Sequence, residues 1–130
     1  MPGEVKFEYD PKLNIVFTDD KGEIKTREDV DDFFEKYRKF FEKLGKKVYM
    51  VSHIDGLLVR SQIAEYYGER ARATVGHYLL GFARWGTNDW ARMTVRTTSL
   101  KAKMIANIYD TKEAAIAAIQ KIKEKTEQKD

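Results

Sequence analysis

The chain has 130 residues, the length of one ordinary domain, which can bury a hydrophobic core without staples. It has no cysteine, which excludes disulfides, thiolate nucleophiles and thiolate metal sites, and only His53 and His77 could supply imidazole. Charged residues form 35% of the sequence but sum to only +3, so both signs are mixed over a solvated surface and strong polyanion binding is not indicated.

No apolar run approaches the roughly 20 residues of a spanning helix. The start, Met1-Pro2-Gly3-Glu4, lacks the basic-then-apolar pattern of a secretory leader. Together with the missing cysteines, this predicts a cytoplasmic location.

Val5, Phe7 and Tyr9 alternate with Lys6 and Glu8, the period of a half-buried strand. Asp10-Pro11-Lys12 is a turn signal, and residues 13–18 read as a second strand closing an antiparallel hairpin. Asp19-Asp20-Lys21-Gly22 has the composition of a break, with a short extended stretch at 23–25. Thr26 is a good helix N-cap, with Glu28 and Asp29 in the first turn. Val30, Phe33, Phe34, Tyr37, Phe41 and Leu44 then recur at helical spacing, and Gly45 follows as a left-handed cap. This aromatic stripe reads as a face packed on a sheet rather than a ligand box.

Residues 47–52 predict a buried strand and Ile54-Asp55-Gly56-Leu57 a turn. Ser61 is placed as the cap of a second helix reaching about residue 75, with Ile63, Tyr67, Ala71 and Val75 on one face. Residues 78–85 are nearly all apolar, as in a strand covered on both faces. Thr87 or Asn88 caps a third helix ending near residue 100, and 104–109 form a last strand. Asp110-Thr111-Lys112-Glu113 opens the final helix, which carries Ala114, Ala115, Ala118, Ile119 and Ile122.

The expected order is β-β-α-β-α-β-α-β-α. It is an α/β fold with a mostly parallel sheet, one antiparallel strand and flanking helices. No repeat or linker divides it. One domain spans 1–130, with its core at about 4–123 and a charged, frayed tail at 124–130.

That order resembles the STAS-like fold of bacterial anti-sigma-factor antagonists and sulfate-transporter tails. Two segments add to the resemblance: Ile54-Asp55-Gly56-Leu57, and the ending Asn107-Ile108-Tyr109-Asp110-Thr111-Lys112-Glu113-Ala114. The resemblance implies a non-catalytic regulatory or protein-interaction module. Switch members of the family carry a phosphorylatable serine before a Gly-Leu pair. Gly56-Leu57 matches the pair, but Ile54 and Asp55 precede it and neither has a hydroxyl. Ser61 is the nearest substitute phospho-switch.

Ser52, His53 and Asp55 invite a hydrolase reading, but catalytic triads are gathered from separate elements and no Gly-x-Ser-x-Gly elbow is present. His53 is therefore expected at a strand end or in a loop, and His77 is expected to be structural. Gly68, Gly76, Gly81 and Gly86 form no nucleotide-binding pattern. No metal, cofactor or catalytic residue is assigned, and the chain is not read as an enzyme.

One basic cluster remains. Arg84 ends a strand, Thr87 opens a helix, and Arg92 and Arg96 follow one turn apart on it, with Lys103 beyond its far end. Helix N-termini and guanidinium forks both suit phosphate or carboxylate, but a solvated basic face paired with acidic residues elsewhere is the favoured reading of these arginines. Two functions are thus expected in order: a module that binds a protein partner or itself, and a small-anion or nucleotide-phosphate site at Arg84, Thr87, Arg92 and Arg96. Neither specific nucleic-acid binding nor a membrane partner is expected.

Overall fold

A computed structural model describes residues 3–127. The chain folds as β1 (Glu4–Asp10), β2 (Ile15–Ile24), α1 (Arg27–Leu44), β3 (Val48–Val59), α2 (Ala64–Tyr78), β4 (Leu79–Trp85), α3 (Asp89–Lys101), β5 (Ile108–Tyr109) and α4 (Lys112–Glu127). The five strands lie in the order β1-β2-β3-β4-β5, with β1 antiparallel to β2 and every other neighbour parallel. The expected α/β class and its single antiparallel pair are thus observed. No helix among the described residues is long and apolar enough to cross a membrane.

The hairpin turn follows its sequence signals. The Asp10 side chain accepts from the Lys12 and Leu13 amides at 2.9 and 3.1 Å, and Asn14 takes φ +56°. Helix α1 also matches its pattern. Thr26 and Asp29 form a reciprocal capping box, and Gly45 closes the helix at φ +73° with its amide on the Phe41 carbonyl.

Two expected breaks are strand instead. Asp19-Asp20-Lys21-Gly22 continues β2, which is hydrogen-bonded on both edges; Lys21 pairs with Glu4 of β1 and with Gly56 of β3. A register irregularity between Asp19 and Lys21 absorbs the awkward residues. Ile54-Asp55-Gly56-Leu57 likewise belongs to β3, because the lengthened β2 offers it a partner.

Other boundaries move as well. Ser61 does not cap α2. It opens a 3-10 turn over Ser61–Ile63 whose cap position, Arg60, makes no side-chain cap bond. The last strand is only Ile108–Tyr109, because Lys103 and Asn107 adopt φ of +59° and +50° and turn the preceding segment out of line. Helix α4 spans Lys112–Glu127, and residues 128–130 lie outside the described residues.

The sheet is covered unequally. On one face Phe33, Phe34, Tyr37 and Phe41 of α1 and Tyr67 and Ala71 of α2 pack on Val16, Met50 and Phe82. Helix α3 joins this side, with Ala91 and Val95 against Ile54. On the other face Ala115 and Ile119 of α4 cover Ile15, Tyr49, Val51 and Ala83.

Candidate functional site: the third helix and the polar row beside it

Strand register assembles a polar row across the middle of β2 and β3 and the carboxyl end of β4. Lys6 pairs with Asp19, Asp19 with His53, and His53 with Trp85, so side chains from four strands line up on the α4 face. His53 lies within β3, which replaces the strand-end or loop position expected for it. Its ring stacks on Trp85 at 4.0 Å, with the planes 16° apart. Nε2 lies 3.2 Å from Asp55 Oδ2, and Nδ1 lies 3.3 Å from Asp19 Oδ1. That Asp19 oxygen is sealed from solvent and has no aligned hydrogen bond. A protonated ring offers one N–H to each carboxylate, whereas a neutral ring serves one. The two acids approach opposite nitrogens, and no metal-binding cluster forms among the described residues.

Asp55 links this row to α3. Its Oδ1 accepts from the Thr87 and Asn88 amides at 2.8 and 2.9 Å, placing a carboxylate on the entry to the helix. Asn88 is the N-cap proper, accepting from the Ala91 amide at 2.9 Å. Burial alone would raise the Asp55 carboxyl, but the Asn88 amide, the His53 ring and the Thr87 amide outweigh it and hold its pKa below the ordinary value. Gly86 is needed here, since a Cβ on it would collide with this carboxylate. Asp55→Ala is expected to cost about 1–2 kcal/mol, the range for a lost helix cap. Amide hydrogen exchange should then quicken at Thr87 and Asn88 first; unchanged protection there would refute the linkage.

The basic cluster expected from sequence is distributed among separate internal partners. Arg84 lies on the opposite face of β4 from Trp85. Its guanidinium rests 4.7 Å over the Phe82 ring and donates to the Ala106 carbonyl at 2.7 Å. Arg92 reaches the Gly86 carbonyl and Asp110 at 2.8 and 2.9 Å, tying α3 to the ends of β4 and β5. Thr87 and Asn88 give their amides to Asp55, so an incoming anion would have to displace that carboxylate. Arg96 is exposed on α3, as is Ser61 at its 3-10 turn.

Helix α3 inverts the usual amphipathic arrangement. Its buried residues are small: Ala91, Thr94, Val95, Thr98 and Ser99. They permit close approach to α2, where a Cβ on Gly68 would lie 2.5 Å from the Thr98 carbonyl oxygen. The large apolar residues face outward, with Trp90, Met93 and Leu100 exposed by 68%, 52% and 79%. The spacing 90, 93, 97, 100 sets them on one stripe with Thr97. Ile105, beyond the helix, is also 70% exposed. Clefts of about 290 and 440 Å³ flank the stripe, and Trp90 forms a wall of both. The first separates α3 from the 3-10 turn, and the second lies over Asp55–Leu58.

Charge on the helix that carries the stripe is mostly positive. Helix α3 contains one acid, Asp89, against Arg92, Arg96 and Lys101, and Lys103 follows. Arg96, Lys101 and Lys103 are exposed and make no ion pair among the described residues. Sequence reading found the basic residues but not the apolar stripe. The available signal was the presence of two helical stripes, one of large residues and one of small.

Compared with known proteins, the chain matches no protein-family model and no curated sequence.

Proposed function

We propose that the chain is a non-catalytic interaction module of STAS-like type, which binds a protein partner through the outer face of α3. The partner's docking segment is acidic and amphipathic. The observation that carries this reading is the stripe of Trp90, Met93 and Leu100, exposed on a helix whose small residues are the ones buried. Contiguous exposed apolar surface with a polar rim marks interaction sites. Trp, Met and Arg are the residue types enriched in them. The rim of Arg96, Lys101 and Lys103 selects an acidic complement and speeds encounter.

The STAS-like assignment rests on element order and on the two segments that carry the resemblance. An α/β sheet of this topology is compatible with it. The reading assigns His53 no catalytic role, since both ring nitrogens face carboxylates and no hydroxyl nucleophile is hydrogen-bonded to it among the described residues.

A photo-crosslinking residue at Met93, introduced into the chain in its source cells, tests the proposal. It should capture a protein through an acidic amphipathic segment. The same residue at Lys39, exposed on α1, should not capture that protein. Trp90→Asp should abolish the capture and shift unfolding stability by no more than about 0.5 kcal/mol, as for other surface substitutions. Crosslinks to a second copy of the chain alone, to nucleic acid or to lipid, or capture that survives Trp90→Asp, would overturn the reading.

A further inference from the structure

A further cleft, of about 540 Å³, opens on the opposite face of the sheet from α3. Its walls include Lys6, Phe17, Asp19, His53, Trp85 and Lys112. Helix α4 crosses the middle of this face and begins at Lys112, leaving the β1 side chains Lys6 and Glu8 exposed. The cleft therefore lies beside the first turn of α4, over the middle of β2 and β3 and the carboxyl end of β4.

The lining has two chemical parts. One is aromatic: half-buried Phe17 and Trp85, with the His53 ring stacked on Trp85. The other is cationic. Lys112 places its ammonium 4.5 Å from the Phe17 ring centroid, and Lys6 lies in the outermost strand of the row. Neither lysine has an ion-pair partner among the described residues. The Asp19 carboxylate lies 3.3 Å from His53 through Oδ1, which has no hydrogen-bond partner, and 3.4 Å from Lys21 through Oδ2. The positive end of the α4 dipole adds to the potential at Lys112. Glu8, also in the lining, limits how much negative charge the cleft accepts.

We propose that this cleft binds a small planar aromatic monoanion. The ring lies on the Phe17, His53 and Trp85 surface, and the anionic group meets Lys112 and Lys6. The cleft and the outer stripe of α3 lie on opposite faces of the sheet, and each has its own tryptophan: Trp85 lines this cleft, whereas Trp90 stands on α3.

The test uses the full chain labelled with 5-fluorotryptophan and titrated with benzoate and indole-3-carboxylate, with benzyl alcohol and benzylammonium as neutral and cationic controls. The acids should move the Trp85 fluorine resonance and leave Trp90 in place. Benzyl alcohol should bind about tenfold more weakly, as expected for loss of one charge-assisted contact. The Lys6→Ala, Lys112→Ala double variant should weaken the acids by a similar factor, and Lys112→Arg alone should retain them. Both lysines are exposed, so these variants should keep the wild-type unfolding midpoint. No response at Trp85, equal binding of acid, alcohol and amine, or acid binding unaffected by the double variant would overturn the proposal.

Discussion

Replacing Phe41 with alanine is expected to lower the unfolding free energy by about 3–5 kcal/mol, the usual range for a buried aromatic residue. Phe41 is 1% exposed and sits where three elements meet. Its ring stacks on Tyr78 of α2 at 5.3 Å and meets Phe7 of β1 edge-on at 6.3 Å. Tyr37 and Phe40 of its own helix complete the cluster. The truncation removes apolar burial and leaves a space that rigid neighbours fill only partly. Phe40 provides an internal comparison. It stacks on Phe7 at 4.4 Å but is only half-buried, so Phe40→Ala should cost clearly less. Urea denaturation of the two variants measures both losses. A near-zero loss at Phe41 would show that the aromatic face of α1 is not the core.

The second large effect lies at Asp20, and its sign is opposite. Asp20 is 4% exposed, inside the α1 face of β2, and accepts a 2.6 Å hydrogen bond from the Tyr37 hydroxyl. Burial raises its pKa from 3.8 to about 6, against the lowering influence of the Tyr37 and Thr18 hydroxyls and the Arg84 charge. The folded state thus holds this proton more tightly than the unfolded chain does. Its stabilising contribution is complete below about pH 4, falls as pH rises through about 6, and is flat above. A shift of about two units corresponds to about 3 kcal/mol. Asp20→Asn keeps an acceptor for Tyr37 and cannot ionise. It should therefore be more stable than wild type at pH 7 by up to about 3 kcal/mol, and should lose that advantage by pH 4. Identical stability profiles for the two proteins between pH 4 and 7 would contradict a buried, proton-binding Asp20.

The same residue shows where sequence reading stops. Helix α1 was legible because every signal for it is local: Thr26 and Asp29 at the start, apolar residues at helical spacing, and Gly45 at the end. Asp19-Asp20-Lys21-Gly22 carries equally local signals for a turn, yet it is strand. The interactions that outweigh those signals are distant in sequence: two flanking strands and a tyrosine 17 positions away. Ile54-Asp55-Gly56-Leu57 was misread for the same reason, and with it the role of Asp55 at the entry to α3. The sequence showed Arg84, Thr87 and Arg92 as a cluster, but alternation along β4 sends Arg84 to the opposite face from Trp85. The partner of the Thr87 amide, Asp55, lies 32 residues earlier.

The His53 row could not be read from spacing, because register across four strands creates it. Helix α3 posed a different problem. Either of its stripes could have been the buried one, and large apolar residues are ordinarily the inner choice. The decision came from Gly68 on α2, which allows small residues to pack at close range and leaves Trp90 and Met93 outside.

Fluorine resonances of the chain labelled with 5-fluorotryptophan test the proposed docking face most directly. The sequence has two tryptophans, so two signals are expected, and Trp90→Phe assigns them. The titrant is the acidic segment captured from Met93, prepared as a purified peptide. The account predicts that the Trp90 resonance moves to saturation while the Trp85 resonance stays in place, with affinity falling as salt is raised. A Trp90 signal unmoved by excess peptide, or a response confined to Trp85, would contradict the assignment of α3 as the docking face.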